Sequence, residues 1–434
     1  MLLPDLQSYY ECPDTKLYVG HVLDVLRELP DKHFHVVITS PPYWGLRDYG
    51  IEPTIWGDSD CEHEWGDDGI VSSEAQTRVQ PAPQGHCTKC GAWRGCLGLE
   101  PTVDLYLEHL VSVFREIWRV LRDDGTLWLN LGDSYAGSGQ AWQTSRDGTG
   151  NSWGRPWVTT TGRPPGYISS RQPNGIKPKD LIGIPWRVAL ALQYDGWYLR
   201  QDVIWSKPNV IPESVTDRPS KAHEYLFLLS KCRRYFYDAE AIKEDVSPET
   251  HARGPRYHPT PKEAPENSRI KNNPSFRAAT WGYVEKRNKR SVWCVPTFGF
   301  SESHFATFPP DLIKPCILAS TSEKGCCPEC GKPWIRKVER TGYVPGNTRT
   351  KTDSTGWAPV ERATTEWQPG CECGIEEVVP CRCLDPFGGA GTTALTARQI
   401  GRHSVYIDLS QKYADLAIDR LSGQALPLPL LNVL

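Results

Sequence analysis

The sequence predicts an α/β protein with a buried sheet, and three observations carry that expectation. Apolar β-branched runs alternate with helical stretches near both ends of the chain. The run Leu127 to Leu131 is continuously apolar, as in a parallel strand covered on both faces. Near the C-terminus, "CRCLDPFGGAGTTALTARQIGRHSVYIDLS" reads as strand, glycine turn, helix and strand.

The elements follow in order. "KLYVGHVLDVLRELPDKHFHVVITSPPY" gives a short strand, a helix with Val22, Leu23, Val25, Leu26 and Leu29 on one side, and a second strand ending at Ser40. Residues 51–98 depart from the pattern, with Asp, Gly, Gln and Pro abundant and Cys and His standing out, so they read as an insertion. "DLYLEHLVSVFREIWRVLRDDGTLWLNLGD" then supplies a long amphipathic helix, an Asp-Gly turn and a strand. Residues 132–178 form a polar loop carrying Trp142, Trp153, Trp157, Arg146, Arg155, Arg163 and Arg171; a long loop of this kind is a mobile linker or a substrate grip. Helix, strand and the apolar strand "EYLFLLS" follow.

Between Lys231 and Ser303 basic residues gather: Arg233, Arg234, Arg253, Arg256, Arg269, Lys271, Arg277, Lys286, Arg287, Lys289 and Arg290. Tyr235, Tyr237, Tyr257, Trp281 and Tyr283 are interleaved with them, a combination suited to phosphate contact and base stacking. The net charge of −3 conceals this local excess.

At 434 residues the chain can hold one large domain with appended modules. Its first residues lack a basic start and an apolar core, and no later stretch is long enough to span a membrane, so a soluble cytoplasmic protein is expected. Its 15 cysteines in that setting argue for metal ligands or free thiols rather than a disulfide framework. Cys12, Cys96, Cys232, Cys294 and Cys316 stand alone and are expected to be buried apolar residues. The others cluster. Cys61 and His63 with Cys87 and Cys90 make one set with tetrahedral zinc spacing; Cys327 and Cys330 with Cys371 and Cys373 resemble a zinc ribbon. Each Cys-x-x-Cys is followed by Gly, and Cys326, Cys381 and Cys383 offer competing ligands.

Two motifs carry chemistry. In "TSPPYWG" a strand ends in two prolines, which fix φ and cannot donate hydrogen bonds, so the turn is stiff and its acceptors are aimed. Ser40 Oγ and the Pro41 carbonyl could accept both N–H bonds of an exocyclic base amine, Pro42 stiffens the turn, and Tyr43, with Trp44 beside it, could stack on the base. In "DPFGGAGTT" the glycines let a ligand approach the backbone, and Asp408, ending the next strand, can hold a ribose diol. The turn matches neither GxGxxG nor a phosphate-binding GK[ST] loop, and Asp385 in front of it favours a cation. A ligand with an adenosine half and a positive centre fits: S-adenosylmethionine.

Together the motifs make the chain resemble the β-class amino-methyltransferases of DNA, in which the catalytic motif (SPPY) precedes the cofactor motif (DPFxGxGTT). The resemblance implies a Rossmann-like methyltransferase fold, circularly permuted: a mostly parallel sheet with flanking helices and an antiparallel hairpin. It implies a catalytic half at 1–230 with a zinc-binding insertion near 51–98, a target-recognition region at 231–303, and a cofactor-binding half at 304–434 with a zinc-ribbon insertion near 324–376. Asp385, Pro386, Phe387, Gly389, Gly391, Thr392 and Asp408 would line the cofactor pocket. Gly20 and His21 stand where the family often has Gly-Asp. A first-position serine is similar to cytosine-N4 enzymes, whereas adenine-N6 enzymes mostly carry Asp or Asn. The expected activity is therefore methylation of cytosine N4 in double-stranded DNA after base flipping, with adenine-N6 methylation as the alternative and a non-catalytic zinc-containing DNA-binding protein as the second. A restriction endonuclease counterpart would be the partner of such an enzyme, which would act as monomer or homodimer.

Overall fold

Every side chain of Phe34–Thr39, FHVVIT, is buried, which requires a strand covered on both faces. The computed structural model describes residues 7–46, 51–58, 60–66, 85–136, 176–177, 179–210, 212–246, 286–297, 308–341 and 361–423. The tryptophans and arginines singled out between 142 and 171, and Arg253, Arg256, Tyr257, Arg269, Lys271, Arg277, Trp281 and Tyr283, lie outside the described residues.

The strands run β1 (Tyr10–Cys12), β2 (Thr15–Val19), β3 (Phe34–Thr39), β4 (Thr54–Trp56), β5 (Trp93–Gly95), β6 (Leu121–Leu131), β7 (Tyr198–Ser206), β8 (His223–Ser230), β9 (Glu244–Asp245), β10 (Lys286–Arg287), β11 (Val292–Cys294), β12 (Ile335–Thr341), β13 (Glu361–Gln368), β14 (Arg382–Asp385) and β15 (His403–Asp408). The described α-helices are α1 (Val22–Glu28), α2 (Val103–Val120), α3 (Ile184–Tyr194), α4 (Pro310–Ser320), α5 (Thr392–Gln399) and α6 (Gln411–Ser422).

The main sheet has nine strands in the order β1-β2-β15-β14-β3-β6-β8-β7-β11. Pairing is parallel from β2 through β15, β14 and β3 to β6, and antiparallel from β6 to β8 and β8 to β7. The expected mixture of parallel strands and an antiparallel hairpin is therefore present. Leu127 to Leu131, expected in a parallel position, pairs parallel with β3 on one side and antiparallel with β8 on the other.

Alternation along β3 builds the two cores. Val37 joins a cluster with Leu26, Leu110, Phe114 and Ala189 of α1, α2 and α3, whereas Val36 and Ile38 join Leu312, Ile313 and Ile317 of α4. Helix α2 shows why the sequence folds this way. Val103, Tyr106, Leu110, Val113, Phe114, Ile117 and Val120 recur at helical spacing and are buried, and the Thr102 side chain accepts the Leu105 N–H at 3.2 Å as its cap.

The chain divides into two compact units. The first comprises residues 1–235, 291–317 and 382–434, and contains the main sheet and the β4–β5 pair. The second comprises 236–290 and 318–381. It holds the antiparallel pairs β9–β10 and β12–β13, and Arg336 links Asp238 to Glu323 at 2.9 and 2.6 Å. Of the expected recognition region, the described residues 236–246 and 286–290 fall in one unit with the described part of the expected zinc-ribbon insertion, whereas β11 belongs to the main sheet. In this unit Arg287 and Arg290 both donate to Glu244, at 2.8 and 2.6 Å, and hold its carboxyl below the usual range against the upward push of burial.

Among the described residues no helix is long and apolar enough to cross a membrane. Of the five isolated cysteines only Cys316 is buried; Cys232 and Cys294 are exposed and Cys12 and Cys96 half-buried. The expectation of buried thiols fails because these residues sit at strand ends and in connecting turns, as Cys232 does just after β8 and Cys294 at the end of β11.

Candidate active site

Strands β3 and β14 are parallel neighbours, with Val36 opposite Cys383 and Val37 opposite Leu384. The chain leaves β14 toward β15 on one side, while β6 lies beside β3 on the other. A crevice opens at the carboxyl ends of strands at such a switch point, the usual ligand position in open α/β sheets. Ser40, Pro41, Pro42 and Tyr43 line it from one turn. Pro386, Phe387, Gly389, Thr392 and Asp408 line it from the other. Two motifs at opposite ends of the sequence therefore share one cavity.

The proline turn is braced from behind. Tyr106 Oη donates to the Pro42 carbonyl at 2.8 Å, and Gly45 N–H donates to the Gly98 carbonyl at 2.8 Å. Among the described residues the Pro41 carbonyl has no such donor. The Ser40 hydroxyl donates to Tyr43 Oη at 3.0 Å, and the Tyr43 hydroxyl stands 3.0 Å from both Asn130 Oδ1 and Glu224 Oε2. Asn130 Nδ2 also donates to Glu224 Oε2 at 3.2 Å, and the Lys207 ammonium pairs with the other oxygen of that carboxylate. Trp44 is not beside Tyr43 in the cavity. It is 2 % exposed and donates through Nε1 to the Glu100 carbonyl, because this side chain turns into the apolar core.

The glycine turn separates cavity-facing from packed residues. Gly389 has φ +51, a Cβ there would meet nothing within 4 Å, and its N–H donates to Asp408 Oδ2 at 2.9 Å. Gly391 does not line the cavity: at φ +73, a Cβ would lie 2.6 Å from Ala417 Cβ, so the glycine admits α6 rather than a ligand. Asp385 is also turned inward. Thr39 Oγ1 and Thr393 Oγ1 donate to its two oxygens at 2.8 and 2.6 Å, and burial raises its carboxyl to about 6. Both of its oxygens therefore accept from threonines at the two turns. Burial likewise raises Asp408 to about 6, against the pull of the Ser410 and Gly389 N–H donors.

Several cavity residues were not singled out for chemistry in the sequence. Asn130, Lys207 and Glu224 are polar residues within or at the ends of strand runs, and that polarity against apolar neighbours was the available signal. His21 also lines the cavity, at 4.7 Å edge-on to Trp56. Its Nε2 is buried without a hydrogen-bond partner among the described residues, and burial lowers its pKa, so it presents a neutral ring. The open face over Gly389, the Asp408 carboxylate and this unsatisfied nitrogen suit a nucleoside ligand with polar substituents. Away from the cavity, Cys61, His63, Cys87 and Cys90 hold their ligand atoms within 4.8 Å of one another, as do Cys327, Cys330, Cys371 and Cys373.

A mixed sheet whose switch-point crevice joins the proline turn to the glycine turn has the architecture of an enzyme of the α/β class. A family model described as DNA methylase, of the N6/N4 type, matches residues 34–327. The type II methyltransferase M.Cfr9I of Citrobacter freundii is 34% identical over 95% of this chain and 90% of that protein. M.XycI of Xanthomonas campestris pv. cyanopsidis is 35% identical over 94% and 88%, and M.SmaI of Serratia marcescens 34% over 94% and 90%. Among solved structures, the PvuII DNA methyltransferase (cytosine-N4-specific) aligns over 97% of each chain with TM-score 0.44 and 13% identity. The M1.HpyAVI–SAM complex covers 94% of this chain and 98% of that one with TM-score 0.38 and 10% identity. The chain belongs to the N6/N4 DNA methylase family and is an S-adenosylmethionine-dependent DNA methyltransferase.

Proposed function

We propose that this enzyme methylates the N4 amine of cytosine at a specific site in duplex DNA, with the target base flipped out of the stack. The observation that carries the reading is the shared cavity of Ser40–Tyr43 and Phe387–Gly389 on neighbouring parallel strands. Serine at the head of the proline turn favours cytosine N4 over adenine N6. The names of the type II relatives favour a restriction counterpart of matching specificity.

When bound, S-adenosylmethionine supplies a sulfonium methyl as electrophile. Asp408 would hold the ribose diol, and Phe387 and the open Gly389 backbone the adenosine. The chain's own residues hold and deprotonate the amine. The Ser40 hydroxyl spends its hydrogen on Tyr43, so its lone pairs are available to one amine N–H, and the Pro41 carbonyl can accept the other. A stiff pair of acceptors fixes the nitrogen in a near-attack position.

As the nitrogen gains a carbon substituent it must lose a proton. The chain Ser40–Tyr43–Glu224 provides a route: the Ser40 hydroxyl donates to Tyr43, whose hydroxyl lies within donating distance of the carboxylate, so one concerted shift passes a proton from the amine to Glu224. Lys207 and Asn130 keep the carboxylate aimed. No cysteine nucleophile is needed.

Sequencing that separates N4-methylcytosine from N6-methyladenine, on DNA from cells expressing the chain, tests the assignment. N4-methylcytosine at one short motif is expected. N6-methyladenine there would transfer the same machinery to adenine.

A further inference from the structure

The two cysteine clusters lie outside the catalytic cavity and methyl transfer does not use them. Their geometry is nonetheless specific. Cys61 Sγ and Cys87 Sγ are 4.0 Å apart, and Cys90 Sγ is 3.5 Å from His63 Nδ1. A tetrahedral ion with Zn–S near 2.3 Å and Zn–N near 2.0 Å would set S–S at about 3.8 Å and S–N at about 3.5 Å. Thiols left to themselves have no reason to gather four at a time at these separations.

The two Cys-x-x-Cys turns also share one backbone design, although they lie in different compact units. Cys87 N–H donates to the Ala92 carbonyl at 2.7 Å and Gly91 N–H to the Cys87 carbonyl at 3.0 Å. In the second, Cys327 N–H donates to the Lys332 carbonyl at 2.9 Å and Gly331 N–H to the Cys327 carbonyl at 2.9 Å. Gly91 and Gly331 have φ of +76 and +69. In the first turn the Lys89 and Ala92 N–H groups point at the Cys87 and Cys90 sulfurs at 3.4 and 3.5 Å, as donors do toward thiolates. Two segments thus converge on one turn, each opposite a second pair of candidate ligands.

A contact path runs from the first cluster to the catalytic turn. Its ligands lie in the loop closed by the β4–β5 pair, in which Trp56 faces Trp93. Both indoles stack on His109, at 4.8 and 5.4 Å. His109 Nδ1 bonds the buried Glu100 carboxylate at 2.9 Å, whose other oxygen accepts Gly98 N–H at 2.8 Å. The Gly98 carbonyl in turn accepts Gly45 N–H of the catalytic turn at 2.8 Å. Trp56 on this path, and Leu97 next to Gly98, line the cavity themselves.

We propose that the chain carries two structural zinc centres, one of three thiolates and an imidazole at Cys61, His63, Cys87 and Cys90, the other of four thiolates at Cys327, Cys330, Cys371 and Cys373, and that the first is a positioning element for the catalytic turn. The second closes the open end of the β12–β13 pair, where Ile335 faces Gln368, and acts within its own unit.

The test is metal counting on the full chain purified under reducing, chelator-free conditions, which does not depend on the base methylated. About two zinc ions per chain are expected in the parent, and one in each of Cys90→Ser and Cys330→Ser. Replacement by cobalt(II) should give the intense visible bands of tetrahedral cobalt thiolate, a readout that needs no variant. Zinc below about half an equivalent in the parent, with no cobalt spectrum, overturns the proposal. For the positioning role, Cys90→Ser should lower methyl transfer at least about tenfold and weaken S-adenosylmethionine binding, and Cys90→His, which restores a ligand, should recover zinc and much of the rate. Cys330→Ser should leave cofactor affinity within about twofold. Loss of the first zinc with turnover and cofactor affinity unchanged overturns the positioning role.

Discussion

Thr39 Oγ1 donates a hydrogen bond of 2.8 Å to Asp385 Oδ1, joining residues 346 apart in the sequence. Thr39 is the last residue of β3 before the proline turn, and Asp385 the last of β14 before the glycine turn. The two turns of the candidate active site are thus joined at the point where each leaves the sheet. Thr39→Val keeps the shape but strips one donor from a buried carboxylate, which costs about 1–3 kcal/mol. Chemical denaturation of parent and variant measures this, and equal midpoints would show that the bond carries no energy.

Ser40→Ala should reduce methyl transfer by about a hundredfold while S-adenosylmethionine affinity stays within about twofold, because the hydroxyl meets the amine and the relay rather than the cofactor. A tritiated-methyl assay with calorimetric cofactor titration separates the effects. Equal turnover by the variant contradicts the assignment.

The parts of this site that were legible in the sequence are contiguous turns. SPPY and DPFGGAGTT each announce themselves because proline and glycine impose backbone conformations that few functions require. What was not legible depends on long-range partners. Asp385 reads as an exposed acid beside a ligand until Thr39 and Thr393 are seen to enclose it, and Gly391 reads as a ligand contact until Ala417 packs against it. Trp44 is adjacent to Tyr43 in sequence but faces the core. Lys207 and Glu224 belong to segments that sequence periodicity identifies only as strands. The grouping of 236–290 with 318–381 is likewise a tertiary fact, invisible to local composition.

Glu224→Gln tests the proton route. The amide keeps the size and can still meet Tyr43 and Asn130, but cannot take up a proton, so turnover should fall by roughly 10²–10⁴ with cofactor affinity little changed. Tyr43→Phe, which breaks the chain one link earlier, should match it, and the double variant should be no worse than the poorer single, as expected of residues acting as a unit. Additive losses in single-turnover rates would instead mean that the two groups act separately.

The proposed contact of Asp408 with the ribose gives cofactor binding a pH response. Burial raises its carboxyl to about 6, so the folded chain holds this proton more tightly than the unfolded one. The corresponding stability is complete below the ordinary carboxyl value and is lost as pH rises through about 6; Asp385, also raised to about 6, adds in the same sense. Binding runs the other way. Accepting two ribose hydroxyls needs the ionised carboxylate, so affinity for S-adenosylmethionine should be flat above pH about 7 and fall by up to about tenfold per unit below about 6. Calorimetric titrations from about pH 8 to about pH 5 read this directly, and Asp408→Asn should bind weakly with a flat profile. A parent profile with no inflection near 6 would mean that Asp408 does not meet the ribose in its charged form.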